Sequence, residues 1–428
     1  MKSIREIVAQ HKAGSSVGIY SACSAHPLVI EAALQHAQRQ SGSVLIEATS
    51  NQVNQDGGYT GMRPADFSRF VRAIAARLGM PAEQVLLGGD HLGPNCWQDL
   101  PAEAAMARSE ALIADYVAAG FRKIHLDCSM SCADDPTPLS DGEVAARAVR
   151  LCAVAERTWK RVGGEAPVYV VGTEVPVPGG AREALAELAL TDAAAASATI
   201  DAHWEAFQSA GLHHVWPRVI GLVVQPGVEF DHYKVIDFKA SRAAELAGVV
   251  EAQPHMVYEA HSTDYQTPAN LRALVQSHFA ILKVGPGLTF AMREALWALD
   301  KIEREWLGME RSSRLPETIQ SAMGAAPRFW NKYYLSNGRQ LALDQQYSLS
   351  DRIRYYWPVP EVESALNRLL ENLDANPPPL TLLRQYLPLQ YQAIRAGRLR
   401  ARARELVLHA IEQVLQTYSA ACTDIASR

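Results

Sequence analysis

Val85-Leu-Leu-Gly-Gly-Asp-His-Leu-Gly-Pro-Asn95 starts as a short apolar run and passes directly into a glycine pair, an acid, an imidazole and a second Gly-Pro turn. A run that is apolar at consecutive positions suits a strand buried on both faces, as in a parallel sheet covered by helices. Seven further runs have this character: Val17–Tyr20, Val44–Thr49, Lys123–Asp127, Val168–Thr173, Val219–Val224, Met256–Glu259 and Ala280–Val284. Helical segments are expected between them at Pro64–Leu78, Pro101–Ala119, Asp141–Val162 and Asp192–Ala210, with a shorter one after Pro268. Pro64 and Pro101 open their segments, where a missing N–H costs least. Alternation of strand and helix implies right-handed crossovers, and eight strands is the number of a closed (β/α)8 TIM barrel. A doubly wound open sheet alternates in the same way. Polar residues after nearly every strand favour the barrel, whose loops converge on one mouth.

Beyond Gly287 the pattern becomes helical and is punctuated by proline, with helices expected at Met292–Leu307, Leu315–Met323, Val362–Leu373 and around Ala401–Tyr418. Pro377-Pro-Pro379 reads as a turn or a short polyproline connection. The expected organisation is therefore a barrel over residues 1–305 and a helical C-terminal extension, 306–428, packed on it. Hydrophobic residues make up 48 % of the 428 and charged residues 20 %, a balance suited to a large core. With a net charge of −5 and no basic block, nucleic acid is a poor partner. No stretch approaches the roughly 20 apolar residues needed to span a bilayer. The N-terminal MKSIREIVAQHKAG lacks the apolar run of a signal peptide, and the six scattered cysteines read as reduced. A cytoplasmic protein is expected.

Candidate site residues collect just past the strands. His91 follows an acid and a glycine pair, and His261 ends the Met256 run beside small polar residues; both are candidate metal ligands. His125 and Asp127 alternate along one face, and Asp127 either orients a ligand histidine or acts directly. Asn95, Ser129, Gly285 and Gly287 are candidate substrate- or phosphate-binding positions; the Gly-Pro-Gly turn after the last strand lies where barrels commonly bind phosphate through backbone N–H groups, and tight turn geometry alone explains it equally well. His213 and His214 precede a strand and read as structural, while His26 follows one and is left open. A cluster of imidazoles with a carboxylate suits zinc or another divalent first-row cation, manganese and nickel included.

Gly89-Asp-His-Leu-Gly-Pro-Asn95 resembles the metal-site motif of class II fructose- and tagatose-bisphosphate aldolases. Over nearly the whole chain the sequence resembles the Z subunits of D-tagatose-1,6-bisphosphate aldolase, the GatZ/KbaZ family. The resemblance is carried by Ile19-Tyr-Ser-Ala-Cys-Ser-Ala-His-Pro27, Gly57-Gly-Tyr-Thr-Gly-Met62, His125-Leu-Asp-Cys-Ser-Met-Ser131, Gly172-Thr-Glu-Val-Pro-Val-Pro-Gly-Gly180, Glu259-Ala-His-Ser-Thr-Asp-Tyr-Gln266 and Arg354-Tyr-Tyr-Trp-Pro358. It implies a class II aldolase-type barrel in which Asp90 is an acid/base and His91, Glu174 and His261 are metal ligands. The remaining aldolase histidine falls near Gln225, which is left as a supporting residue, and His232 is the expected substitute ligand. It also implies a role beside a catalytic Y-type subunit that cleaves a ketose bisphosphate, in tagatose, galactitol or N-acetylgalactosamine catabolism. Members have been labelled kinases as well; this sequence has neither a P-loop nor a kinase-type Gly-rich loop.

Two functions of different class follow. One is a Z-type subunit that supports the activity and stability of its Y partner. The alternative is a metal-dependent ketohexose or ketohexose-phosphate 4-epimerase. The C4 proton is not acidic, so inversion would proceed by retro-aldol cleavage of C3–C4, rotation of the aldehyde and re-addition, with Asp90 or Glu174 acting on O4.

Overall fold

The computed structural model describes residues 3–173 and 188–424. Eight parallel strands close into a barrel: β1 (Ile19–Cys23), β2 (Val44–Thr49), β3 (Val85–Leu92), β4 (Lys123–Leu126), β5 (Val168–Val171), β6 (Val219–Val223), β7 (Val257–Ala260) and β8 (Ile281–Val284). Each is bonded to its neighbour in chain order, and β8 returns to β1 through the register Ile19↔Ile281 to Ala22↔Val284. All eight expected strands are present. The expected helices also form, at Pro64–Arg77, Ala102–Ala118, Asp141–Val162, Ala193–Ser209 and Pro268–Gln276. The sequence reading did not single out the helix Pro27–Arg39 after β1 or a two-stranded ribbon, Glu229–Phe230 with Val235–Ile236.

The barrel interior is graded along its axis. At the N-terminal end Ile19, Leu45, Val168, Ile220, Val257 and Ile281 form an apolar layer, closed from below by Ile4 and Val8 of the helix Ile4–Lys12. Alternation then brings Glu47, Glu259 and Lys283 inward, two residues after Leu45, Val257 and Ile281. Gly88 lies in register between Glu47 on β2 and Lys123 on β4. A Cβ there would fall 2.5 Å from Glu47 Oε1, so only glycine leaves room for the carboxylate. Lys123 Nζ can then reach Glu47 at 2.6 Å and Glu259 at 2.5 Å.

The helix Pro286–Leu307 runs through the expected barrel boundary at residue 305, and one hydrophobic core includes residues on both sides of it, from Leu296 and Leu299 to Ile353, Leu369 and Ile411. The last helix, Ala403–Ala421, packs against the helices that follow β1, β7 and β8 and so stands in the outer ring of the barrel. Tyr418 in it donates to the Thr263 carbonyl at 2.7 Å. No helix among the described residues is long and apolar enough to cross a membrane.

Candidate functional site

β3 ends in an irregularity. Its register with β4 shifts between Gly89 and Leu92, and His91 takes a left-handed φ of 48°. A bulge lets consecutive side chains face the same side, and here both Asp90 and His91 line the mouth. β4 contributes His125 and the loop residue Asp127; β7 contributes Glu259 and, one residue past its end, His261. The three imidazoles converge, with ring centroids 4.8 Å apart for His91–His261, 5.2 Å for His91–His125 and 5.3 Å for His125–His261.

Asp90, His125, Glu259 and His261 each offer a ligand atom within 4.8 Å of the others, and all four are buried. Two imidazoles and two carboxylates suit a divalent first-row cation. His125 Nδ1 faces Asp90 Oδ1 at 2.9 Å and the His91 N–H at 3.3 Å, which leaves Nε2 on the far side of the ring. That atom is buried and has no hydrogen-bond partner among the described residues.

The charges around this ring set its ionisation. Burial alone would raise the Asp90 carboxyl, but His91, His261 and His125 overcome it and hold it well below the usual range. Glu259 is likewise brought down to about 2 against burial, chiefly by Lys123 and then His261. For His91 burial opposes protonation, yet Asp90 and Asp127 raise it to about 9. His261 is lowered by burial despite its acidic neighbours. Lys283, on β8, contacts Glu47 and lies 3.0 Å from Asp90 Oδ2.

Above the ring opens a cavity of about 440 Å³. The barrel strands supply Asp90, His91 and Lys283 to its wall, the loop after β7 supplies His261 and Asp264, and the C-terminal extension supplies Arg354, Tyr355 and Trp357. The extension thus roofs the mouth as well as flanking the barrel.

The structure treats the expected site residues differently. His91 and His261 join the cluster. Asp127 accepts from His91 Nδ1 at 2.7 Å and is steadied by Ser129 Oγ at 2.6 Å, so Ser129 orients an orienting acid and is not among the residues lining the cavity. His125, expected only as a supporting residue, stands among the potential ligands. His232 does not fill the gap: its ring nitrogens face Ser350 Oγ at 3.1 Å and the Tyr333 carbonyl at 2.9 Å, so the loop folds toward the extension and not back over the mouth. Gln225 accepts from the Gly227 and Val228 N–H groups and shapes its own turn. Asn95 accepts from Gln98 at 2.8 Å, away from the cavity wall. The Gly285 and Gly287 N–H groups are already taken, both donating to Asp264 Oδ1. Glu174 lies outside the described residues. Glu47, Lys123, Glu259 and Lys283 were missed as site residues, although a charge inside an otherwise apolar strand, at the inward-facing position, was a visible signal.

Residues 4–423 match the family described as D-tagatose-1,6-bisphosphate aldolase subunit GatZ/KbaZ-like. The chain belongs to this family. A crystal structure described as a probable tagatose 6 phosphate kinase from Sinorhizobium meliloti 1021 is 50% identical, over 95% of this chain and 100% of that one, with a TM-score of 0.88. More distant overlaps include the YdjI aldolase from Escherichia coli K12, 12% identical over 86% of this chain and 95% of that one at a TM-score of 0.42. The fructuronate-tagaturonate epimerase UxaE from Cohnella laeviribosi is 10% identical over 94% and 81%, at 0.47. This GatZ/KbaZ-like chain therefore combines a (β/α)8 barrel, a helical C-terminal segment and a buried group of side chains able to hold a metal.

Proposed function

We propose that this chain acts as the Z-type subunit of a D-tagatose-1,6-bisphosphate aldolase, supporting a Y-type catalytic subunit, and that its mouth holds a divalent cation, zinc by the character of the donors, together with a ketose phosphate. The observation that carries the metal reading is the quartet Asp90, His125, Glu259 and His261, whose four buried ligand atoms lie within 4.8 Å of one another. When bound, the cation would polarise a carbonyl oxygen. Around it, Ser129 and Asp127 hold the His91 ring, and Lys283 and His125 hold Asp90 in place among the ligands.

The cavity of about 440 Å³ above the quartet favours a second reading, in which the chain itself interconverts ketohexose phosphates at C4. Both are tested on the purified chain by metal analysis and by assays of fructose 6-phosphate, tagatose 6-phosphate and the bisphosphates, with and without a Y-type subunit. His125→Ala is expected to lose the metal while His232→Ala retains it. Equal occupancy in the two variants would sink the quartet. Failure to co-purify with or stabilise a Y subunit would sink the subunit role, and no turnover by the metal-loaded chain alone would sink the epimerase.

A further inference from the structure

A barrel of this kind has an evident place for a phosphate, at the N-terminus of the helix Pro286–Leu307 after β8. Here that place is filled from within. Asp264 Oδ1 accepts from the N–H groups of Gly285 at 2.9 Å and Gly287 at 2.7 Å. A Cβ on Gly287 would come within 3.0 Å of the same oxygen, so the turn fits closely around the carboxylate. Asp264 is 3% exposed. A second anion would have to displace it or sit against its charge, and either costs several times RT.

A cation lies on the other side of the mouth, apart from Lys283, which is paired with Glu47 and Asp90. Arg354, on the extension, lines the cavity. Its guanidinium is held in place by the carbonyls of Ser350 and Asp351 and by the Tyr355 hydroxyl at 3.2 Å. Among the described residues it makes no ion pair. The nearby acid, Asp351, is engaged by Thr289 Oγ1 at 2.6 Å and by Arg293 at 3.3 Å. Half-buried and fixed on the cavity wall, this guanidinium is positioned to face an anion that enters the mouth. Its fork matches a phosphate oxygen pair.

We propose that Arg354 binds the phosphate monoester of the ligand, and that Asp264 closes the Gly285–Gly287 turn to it. This rests on the reading of the cavity as a ketose-phosphate site, and it moves the phosphate from the barrel loops to the C-terminal extension. The test uses the full chain with inorganic phosphate and with tagatose 6-phosphate, followed by calorimetry and phosphorus NMR, with metal content measured on the same samples. Arg354→Gln is expected to weaken both ligands at least about tenfold, the loss of a charged hydrogen bond, and to leave metal content unchanged. Asp264→Asn is expected to bind phosphate at least as tightly as the wild type. Wild-type affinity in Arg354→Gln, or no phosphate binding by the wild type, would overturn the assignment. Arg354→Lys keeps a cation should the neutral variant not fold; affinity weakened several-fold supports the assignment, and unchanged affinity overturns it. Inorganic phosphate needs only the guanidinium, so a chain without metal that still shows the Arg354 dependence would fail the metal reading alone.

Discussion

Lys123 lies between Glu47 and Glu259, within 2.6 Å of both, and none of the three is exposed to solvent. Two carboxylates this deep are tolerable because an ammonium is held between them, with Lys283 beside Glu47 and His261 beside Glu259, and Gly88 leaves the ammonium its passage across the barrel. Lys123→Met should therefore destabilise by about 3–5 kcal/mol, the range for breaking a buried pair, seen as a lower urea midpoint with an unchanged slope. Adding Glu47→Gln to it should recover part of the loss; strict additivity of the two substitutions would argue against the pairing. His91 illustrates a different constraint. Its left-handed φ is uncommon for a non-glycine residue and is imposed by the β3 bulge that turns both Asp90 and His91 to the cavity. Apolar–polar alternation predicts one of the two facing in; the family resemblance placed both at the site, and the bulge supplies the physical reason.

At the scale of elements, the helix Pro27–Arg39 begins on His26, whose Nδ1 accepts from the Leu28 N–H at 3.2 Å. That role needs a neutral ring. Burial, helped by Arg404, holds His26 down at about 3, below its unfolded value near 6.5. The unfolded chain thus binds the extra proton between these values, and the sign follows: the contribution is complete above about pH 6.5 and is lost as pH falls toward 3. His26→Asn, which can cap without titrating, should flatten the fall in melting temperature over that interval; an identical pH profile would exclude His26 as a cause. The helix itself was legible in the sequence, with Pro27 opening it and an amphipathic period close to those of Pro64–Arg77 and Asp141–Val162, although no expectation was placed on it. The helices Pro64–Arg77 and Asp141–Val162 each bury one stripe, and their period was plain.

For the molecule as a whole, the C-terminal helix is a structural member of the barrel. Ile411, Leu415 and Tyr418 are buried in the core shared with the ring helices, so Ile411→Ala should cost about 2–5 kcal/mol of global stability, measured as a single cooperative transition. A separate low transition for the extension, with the barrel unaffected, would contradict that shared core. By itself the amino-acid sequence determined the eight strands, most of the helices, the family resemblance and the positions of His91, His261, His125 and Asp127, because hydropathy period and strand-end chemistry are local properties. Tertiary structure alone decided which groups meet. The barrel register set Glu47 opposite Lys123 across Gly88, and the course of the loop sent His232 to Ser350 instead of the mouth. Closure of the barrel also gave the Gly285 and Gly287 N–H groups to Asp264 and carried Arg354 over the cavity. Each of these depends on the distance between residues far apart in the chain, which a local pattern does not contain.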